Sequence, residues 1–198
     1  MLSRKFPELL CFSLLLEMSE KSEIRKFIKS ITKSKSAEEK KEVSENVVAE
    51  LERMPLFKES KTVMLFHSLP DEVCTHDLID KYAGHKRIVL PVLIDCPPFW
   101  ELREYTSKND LKIGAFNIME PVGKLFEDFS DIDLVVVPGV AFSKSGKRVG
   151  RGKGYYDRIL SVVNAPTVAI CFPWQILPDE EVPCDEWDVN IDCVIDVR

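Results

Sequence analysis

What most constrains this chain is a series of short apolar runs, each about the length of a strand. They are Thr62-Val63-Met64-Leu65-Phe66, Arg87-Ile88-Val89-Leu90-Pro91-Val92, Ile132-Asp133-Leu134-Val135-Val136-Val137, Thr167-Val168-Ala169-Ile170-Cys171-Phe172 and Cys193-Val194-Ile195-Asp196-Val197. A continuous apolar run cannot present one face to water, so each reads as a strand buried on both sides. Helical patterns lie around and between them. From Glu20 to about Lys33, Ile24, Phe27, Ile28 and Ile31 recur at helical spacing, and Ser36-Ala37-Glu38-Glu39 is a capping box opening a helix to about Met54, before Pro55. Further helices are predicted near Thr75 to Tyr82 and from about Tyr155 to Val163, while Trp100 to Tyr105 alternates with period two, as an edge or hairpin strand does. Strand–helix alternation predicts a three-layer α/β fold, Rossmann-like, with a mainly parallel sheet flanked by helices.

The 198 residues suit a single domain over 18–198, preceded by an extension over 1–17. Arg4 and Lys5 before Leu9 to Leu16 mimic a short signal peptide, but Pro7 and Glu8 interrupt it and no small-x-small cleavage site follows. A start codon upstream of Met18 is therefore preferred to export. Six cysteines form no CxxC pair, which predicts buried, reduced thiols in a cytoplasmic protein. A net charge of −6 gives no general attraction to nucleic acid or to an anionic membrane. A monomer acting on small molecules is expected.

Against that acidic background one segment is strongly basic. Residues 144–158 carry Lys144, Lys147, Arg148, Arg151, Lys153 and Arg158 against the single acid Asp157. Within them Gly150, Gly152 and Gly154 alternate with Val149, Arg151 and Lys153, between a buried strand and a helix. Glycine lets the backbone lie against a ligand with its N–H groups converging on an anion, and arginine grips phosphate oxygens in pairs. The run is neither a Walker A loop nor a dinucleotide fingerprint, because Gly follows Lys153 and the spacing is GxGxG. A solvated basic turn is the plainer alternative. Asp157 is either a helix-dipole partner or, preferred here, a magnesium ligand, since a bare carboxylate beside phosphates would repel them.

The segment Arg148-Val149-Gly150-Arg151-Gly152-Lys153-Gly154-Tyr155-Tyr156-Asp157, after Pro138-Gly139-Val140-Ala141-Phe142, resembles the signature of the 5-formyltetrahydrofolate cyclo-ligases. Weaker agreement runs from about Lys21 to the C-terminus. The resemblance implies ATP and Mg2+ as co-substrate and cofactor, and a folate as the small-molecule substrate. It implies ATP contacts from Lys21, Arg25 and the stretch Arg148, Val149, Gly150, Arg151, Gly152, Lys153, Gly154, Tyr155 and Tyr156, with Arg148, Lys153 and Tyr155 in catalytic roles. It implies folate contacts from His67, Glu72, Phe116 and Arg151 to Tyr155, and magnesium ligation by Asp157 and Asp188. Phe116 stands where the family often has Trp. Read alone, Lys21 and Arg25 resemble a solvated helix face, Glu72 a loop acid and His67 a strand end. A sugar-phosphate isomerase and a nucleotide- or RNA-binding module are the rival readings of the basic loop.

Overall fold

The computed structural model describes residues 21–94, 99–114 and 119–197. Its centre is a seven-stranded sheet built from β1 (Thr62–Met64), β2 (Arg87–Leu93), β3 (Trp100–Tyr105), β6 (Leu125–Phe126), β7 (Leu134–Val137), β10 (Thr167–Ala169) and β12 (Cys193–Val194). The strand order is β12-β10-β7-β1-β2-β3-β6. β12, β10, β7, β1 and β2 run parallel, and β3 and β6 close one side antiparallel. Trp100 to Tyr105 thus forms a six-residue hairpin ladder with β2, from Ile88↔Tyr105 to Leu93↔Trp100. It is not an edge, because β6 pairs with its far side. The two outermost strands, β6 and β12, are two residues long. A separate hairpin joins β4 (Leu111–Ile113) and β5 (Met119–Pro121).

Two-sided burial explains the apolar runs. In β1, Val63 packs with Leu134 of β7 and with Leu51 and Phe57 on one face of the sheet, while Met64 joins Val135 and Ile159 on the other. The first face is covered by α2 (Ala37–Arg53), α3 (Pro55–Glu59) and α4 (His76–Tyr82), the second by α5 (Tyr155–Leu160). Helix α2 ends at Arg53, before Pro55 as expected, and Pro55 opens the separate α3 at a first-turn position, where proline's missing N–H costs nothing. Ser36 caps α2 by accepting from the Glu39 N–H at 3.0 Å, but the Glu39 side chain bonds Lys35 instead of completing a capping box.

The first helix, α1 (Lys21–Ser34), packs apart from both faces. Ile24 and Ile28 meet Ala141, Val149, Leu177 and Val182 in a third cluster, and Thr32 accepts a hydrogen bond from the Trp174 indole at 3.0 Å. Burying each isoleucine stabilises this docking by about 1.5–3 kcal/mol. The docked helix brings Arg25 onto the glycine-rich loop and Lys21 onto Asp185 and Asp188. Among the described residues no helix is long and apolar enough to cross a membrane.

Candidate active site

Strand order reverses between β1 and β7: the chain leaves β1 for β2 on one side, while β10 and β12 follow β7 on the other. Open α/β sheets bind ligands beyond the carboxyl ends of strands at such a point. The loop after β1 carries His67, Asp71 and Glu72, and the glycine-rich loop lies beyond the end of β7. Between them is a cleft of about 210 Å³ lined by Arg25, Lys29, Asp71, Gly139, Arg151 and Gln175, among others.

The path from β7 to that loop is more structured than its sequence suggests. β8 (Ala141–Ser143) and β9 (Arg148–Val149) form a hairpin, with Ala141↔Val149 and Phe142↔Arg148 in register. A third strand, β11 (Ile176–Leu177), pairs parallel to β8. The turn closes at Gly146, whose φ is +94° and where a Cβ would stand 2.0 Å from the Ile191 carbonyl oxygen. Ser145-Gly146, a turn dipeptide between Val140-Ala141-Phe142 and Arg148-Val149, is the signal that marks this hairpin in the sequence.

Beyond β9 the chain runs through Gly152 at φ +102° and Gly154 at φ +64° before α5 begins. Among the described residues, the amides of Gly150, Arg151, Gly152, Lys153 and Gly154 donate to no protein acceptor. The loop is held instead through its carbonyls: Arg25 Nε donates to Gly150 O at 2.7 Å, and Arg158 Nη2 to Lys153 O at 2.8 Å. The helix that follows is six residues long and ends at Leu160, not Val163. So short a helix has a weak dipole, so an anion here would rely on the loop's own amides and side chains.

The charged side chains sort into pairs. Arg148, with its side chain 5% exposed, donates from Nη2 to Asp157 Oδ1 at 2.6 Å, and its Nε is buried without a partner. Lys21 Nζ bonds Asp188 and lies 2.8 Å from Asp185 Oδ2. Burial pushes the Asp188 carboxyl up, but the Asp185 N–H and the Lys21 ammonium outweigh it and hold it below the usual range, with a smaller contribution from Arg148. Arg151 reaches across the cleft to Asp71 (Nη2–Oδ1 2.7 Å) and to Glu72 (Nη2–Oε1 2.9 Å). The Glu72 side chain is 9% exposed, and its Oε2 accepts from the Leu69 N–H at 2.9 Å. Burial lifts Glu72 above the usual carboxylate range despite the attraction of Arg151, so desolvation wins there.

The aromatic pair divides. Tyr155 lies under two cations, with Lys153 Nζ 5.9 Å and Arg158 Cζ 5.2 Å from its ring centroid. Tyr156 turns inward against both core faces; its hydroxyl is buried without a partner, and burial raises its pKa far above that of an ordinary phenol. His67, just beyond the end of β1, stacks on His76 with ring centroids 4.0 Å apart. Burial, and then the neighbouring His76, push its pKa down to about 4, so it is neutral at pH 7. Phe116 lies outside the described residues.

A model of the 5-formyltetrahydrofolate cyclo-ligase family matches residues 17–197. The chain belongs to that family. The 5-formyltetrahydrofolate cyclo-ligase of Mus musculus is 30% identical over 191 residues, covering 89% of this chain and 93% of the mouse protein. Among solved structures, the 5,10-methenyltetrahydrofolate synthetase of Aquifex aeolicus superposes with a TM-score of 0.78 at 36% identity, over 88% of each chain. That of Mycoplasma pneumoniae gives 0.70 at 25% identity, over 89% of this chain and 98% of its own. The chain is thus an enzyme of the cyclo-ligase class, on the mainly parallel α/β fold predicted from its apolar runs.

Cyclo-ligase membership leaves some features of this chain to be read from its own geometry. Asp71 and Asp185, which share Arg151 and Lys21 with the predicted site acids, were not singled out by sequence; their partners are 80 and 164 residues away. Among the described residues no three His, Cys, Asp or Glu side chains converge as a ready-made metal cage. Magnesium does not require one, because one or two carboxylates suffice when substrate phosphates supply the remaining oxygens. Asp157 and Asp188 fit that mode, with the Arg148 charge acting on both. The expectation of buried thiols is corrected: Cys171 is buried, but Cys74, Cys184 and Cys193 are exposed.

Proposed function

We propose that this enzyme converts 5-formyltetrahydrofolate into 5,10-methenyltetrahydrofolate, consuming ATP in the presence of Mg2+ and releasing ADP and phosphate. The observation that carries the nucleotide reading is the row of unbonded amides from Gly150 to Gly154, set in a loop bearing Arg148, Arg151 and Lys153. A chain of free N–H groups between fixed cations is a cradle for phosphate.

In this reading the loop amides, Arg148, Arg151 and Lys153 hold the triphosphate, with Lys21 and Arg25 reaching it from α1. Glu72 accepts from the paired donors on the pterin edge, which a carboxylate with two oxygens suits. Neutral His67 and Tyr155 line the folate. Asp157 and Asp188 would hold Mg2+, which would supply charge neutralisation on the phosphates. Val149, Gly150, Gly152 and Gly154 let the backbone come close, and Tyr156 braces the loop from behind.

The chemistry needs alignment more than acid–base power. The γ-phosphoryl group moves to the formyl oxygen, breaking its bond to the ADP oxygen. The N10 lone pair then attacks the formyl carbon, N10 loses its proton, and the carbon–oxygen bond breaks with phosphate as leaving group. Lys153, exposed and without an ion pair among the described residues, is the cation placed to follow the transferring group. The protein acts as a cytoplasmic monomer on small molecules, without nucleic acid or membrane.

The test is to mix the enzyme with magnesium-ATP and 5-formyltetrahydrofolate and follow methenyl absorbance together with phosphate. Equal amounts of the two products are expected. A folded sample that releases neither in a folate-dependent way would overturn the proposal.

A further inference from the structure

Every acid that the proposed function assigns to metal or folate is bonded to a cation that it assigns to phosphate. Asp188 is bonded to Lys21, Asp157 to Arg148 at 2.6 Å, and Glu72 to Arg151 at 2.9 Å. Two of the pairs join distant parts of the chain, 167 and 79 residues apart, and the third spans the glycine-rich segment from end to end. Two have supporting acids of their own: Asp185 shares Lys21 at 2.8 Å, and Asp71 shares Arg151 at 2.7 Å.

Resting on the reading above, we propose that these are holding pairs, through which the empty site neutralises itself and admits metal and nucleotide only together. Metal alone would have to take Asp157 and Asp188 from Arg148 and Lys21. That strands a guanidinium that is 5% exposed and already has one unpartnered nitrogen. Stranding a buried charge is far costlier than exchanging its partner. Nucleotide alone would draw the two cations away and leave bare carboxylates beside phosphates. When both arrive, each cation passes to a phosphate and each carboxylate to the metal, and no charge is left uncompensated. Arg151 makes the same exchange at the far wall, releasing Glu72 for the folate while Asp71 still faces the guanidinium.

The proposal predicts gains of binding, which a purely structural role for these residues does not. Binding of Mn2+ alone is followed by the paramagnetic resonance of the free ion. Binding of the β,γ-imido analogue of ATP is followed by calorimetry, with Mg2+ or with a chelator. In the unaltered protein, Mg2+ should tighten nucleotide binding by about tenfold or more, and Mn2+ alone should bind weakly. Lys21→Met frees Asp188 beside Asp185 and should tighten Mn2+ binding by about tenfold, whereas Lys33→Met, the same charge change on an exposed position of α1, should not. Asp188→Asn leaves Lys21 with Asp185 as its one remaining acid partner among the described residues and should tighten binding of the metal-free analogue. Thermal unfolding checks that each variant is folded. If the analogue binds with Mg2+ but neither gain appears, the holding pairs are wrong and the nucleotide reading stands. If the analogue does not bind the unaltered protein with Mg2+, both fall.

Discussion

Asp157→Ala should destabilise the ligand-free enzyme well beyond an ordinary surface change. It leaves the Arg148 guanidinium, whose side chain is 5% exposed, without the carboxylate that holds it at 2.6 Å. Its Nε has no partner to begin with, so the charge keeps little compensation. Removing one member of a buried pair costs about 3–5 kcal/mol. Asp157 is 18% exposed, so water reaches the pair, and we take the lower end, about 3 kcal/mol. Arg148→Met strands the more accessible partner, and methionine refills part of the aliphatic volume, so about 1–2 kcal/mol is expected. The double variant has no charge to strand and should cost about 2 kcal/mol less than the sum of the single changes. Urea unfolding without ligand, extrapolated linearly to water, measures all three. At this chain length a loss of 3 kcal/mol lowers the thermal midpoint by about 6–12 °C. If the single costs add to within about 0.5 kcal/mol, or if Asp157→Ala is no worse than Arg148→Met, the reasoning from burial is refuted.

Lys153→Ala should leave the urea midpoint within about 0.5 kcal/mol of the unaltered enzyme, because Lys153 is exposed. Methenyl formation should nevertheless fall on the order of 100-fold, as for loss of one preorganised donor to developing charge. His67, with its pKa lowered to about 4 from an unfolded value near 6.5, binds fewer protons folded than unfolded between those pH values. Its contribution is fully present above pH 6.5 and is lost as pH falls towards 4; His67→Gln should flatten that part of the stability–pH curve, and an unchanged difference curve would refute the assignment. Gly146→Ala forces a side chain into φ +94° against the Ile191 carbonyl and should cost more than about 1 kcal/mol in thermal unfolding.

The sheet was legible because burial on both faces leaves no freedom in composition: Val63, Met64 and Leu65 must all be apolar, whichever side each one faces. Strand ends were less so. Asp133 reads as part of its strand, yet its carboxylate accepts the N–H groups of Lys61 and Thr62 and so ties the start of β1 to that of β7. The hairpin at β8 and β9 escaped notice because its strands are only three and two residues long and owe their order to the distant β11. At the candidate site, glycine spacing and charge pointed to the loop itself. Only the resemblance singled out Asp188 from its acidic neighbours, since nothing within a helical turn of it reveals that Lys21 is its partner. Long-range charge pairing leaves no periodicity in a sequence, and that is why the pairs emerged only from the fold.

The short outermost strands of the central sheet have a consequence for how the molecule behaves in a crowded solution. With two residues each, β6 and β12 offer a passing polypeptide only one or two backbone groups to join. A ladder that stops so abruptly is a poor template for fibrous growth.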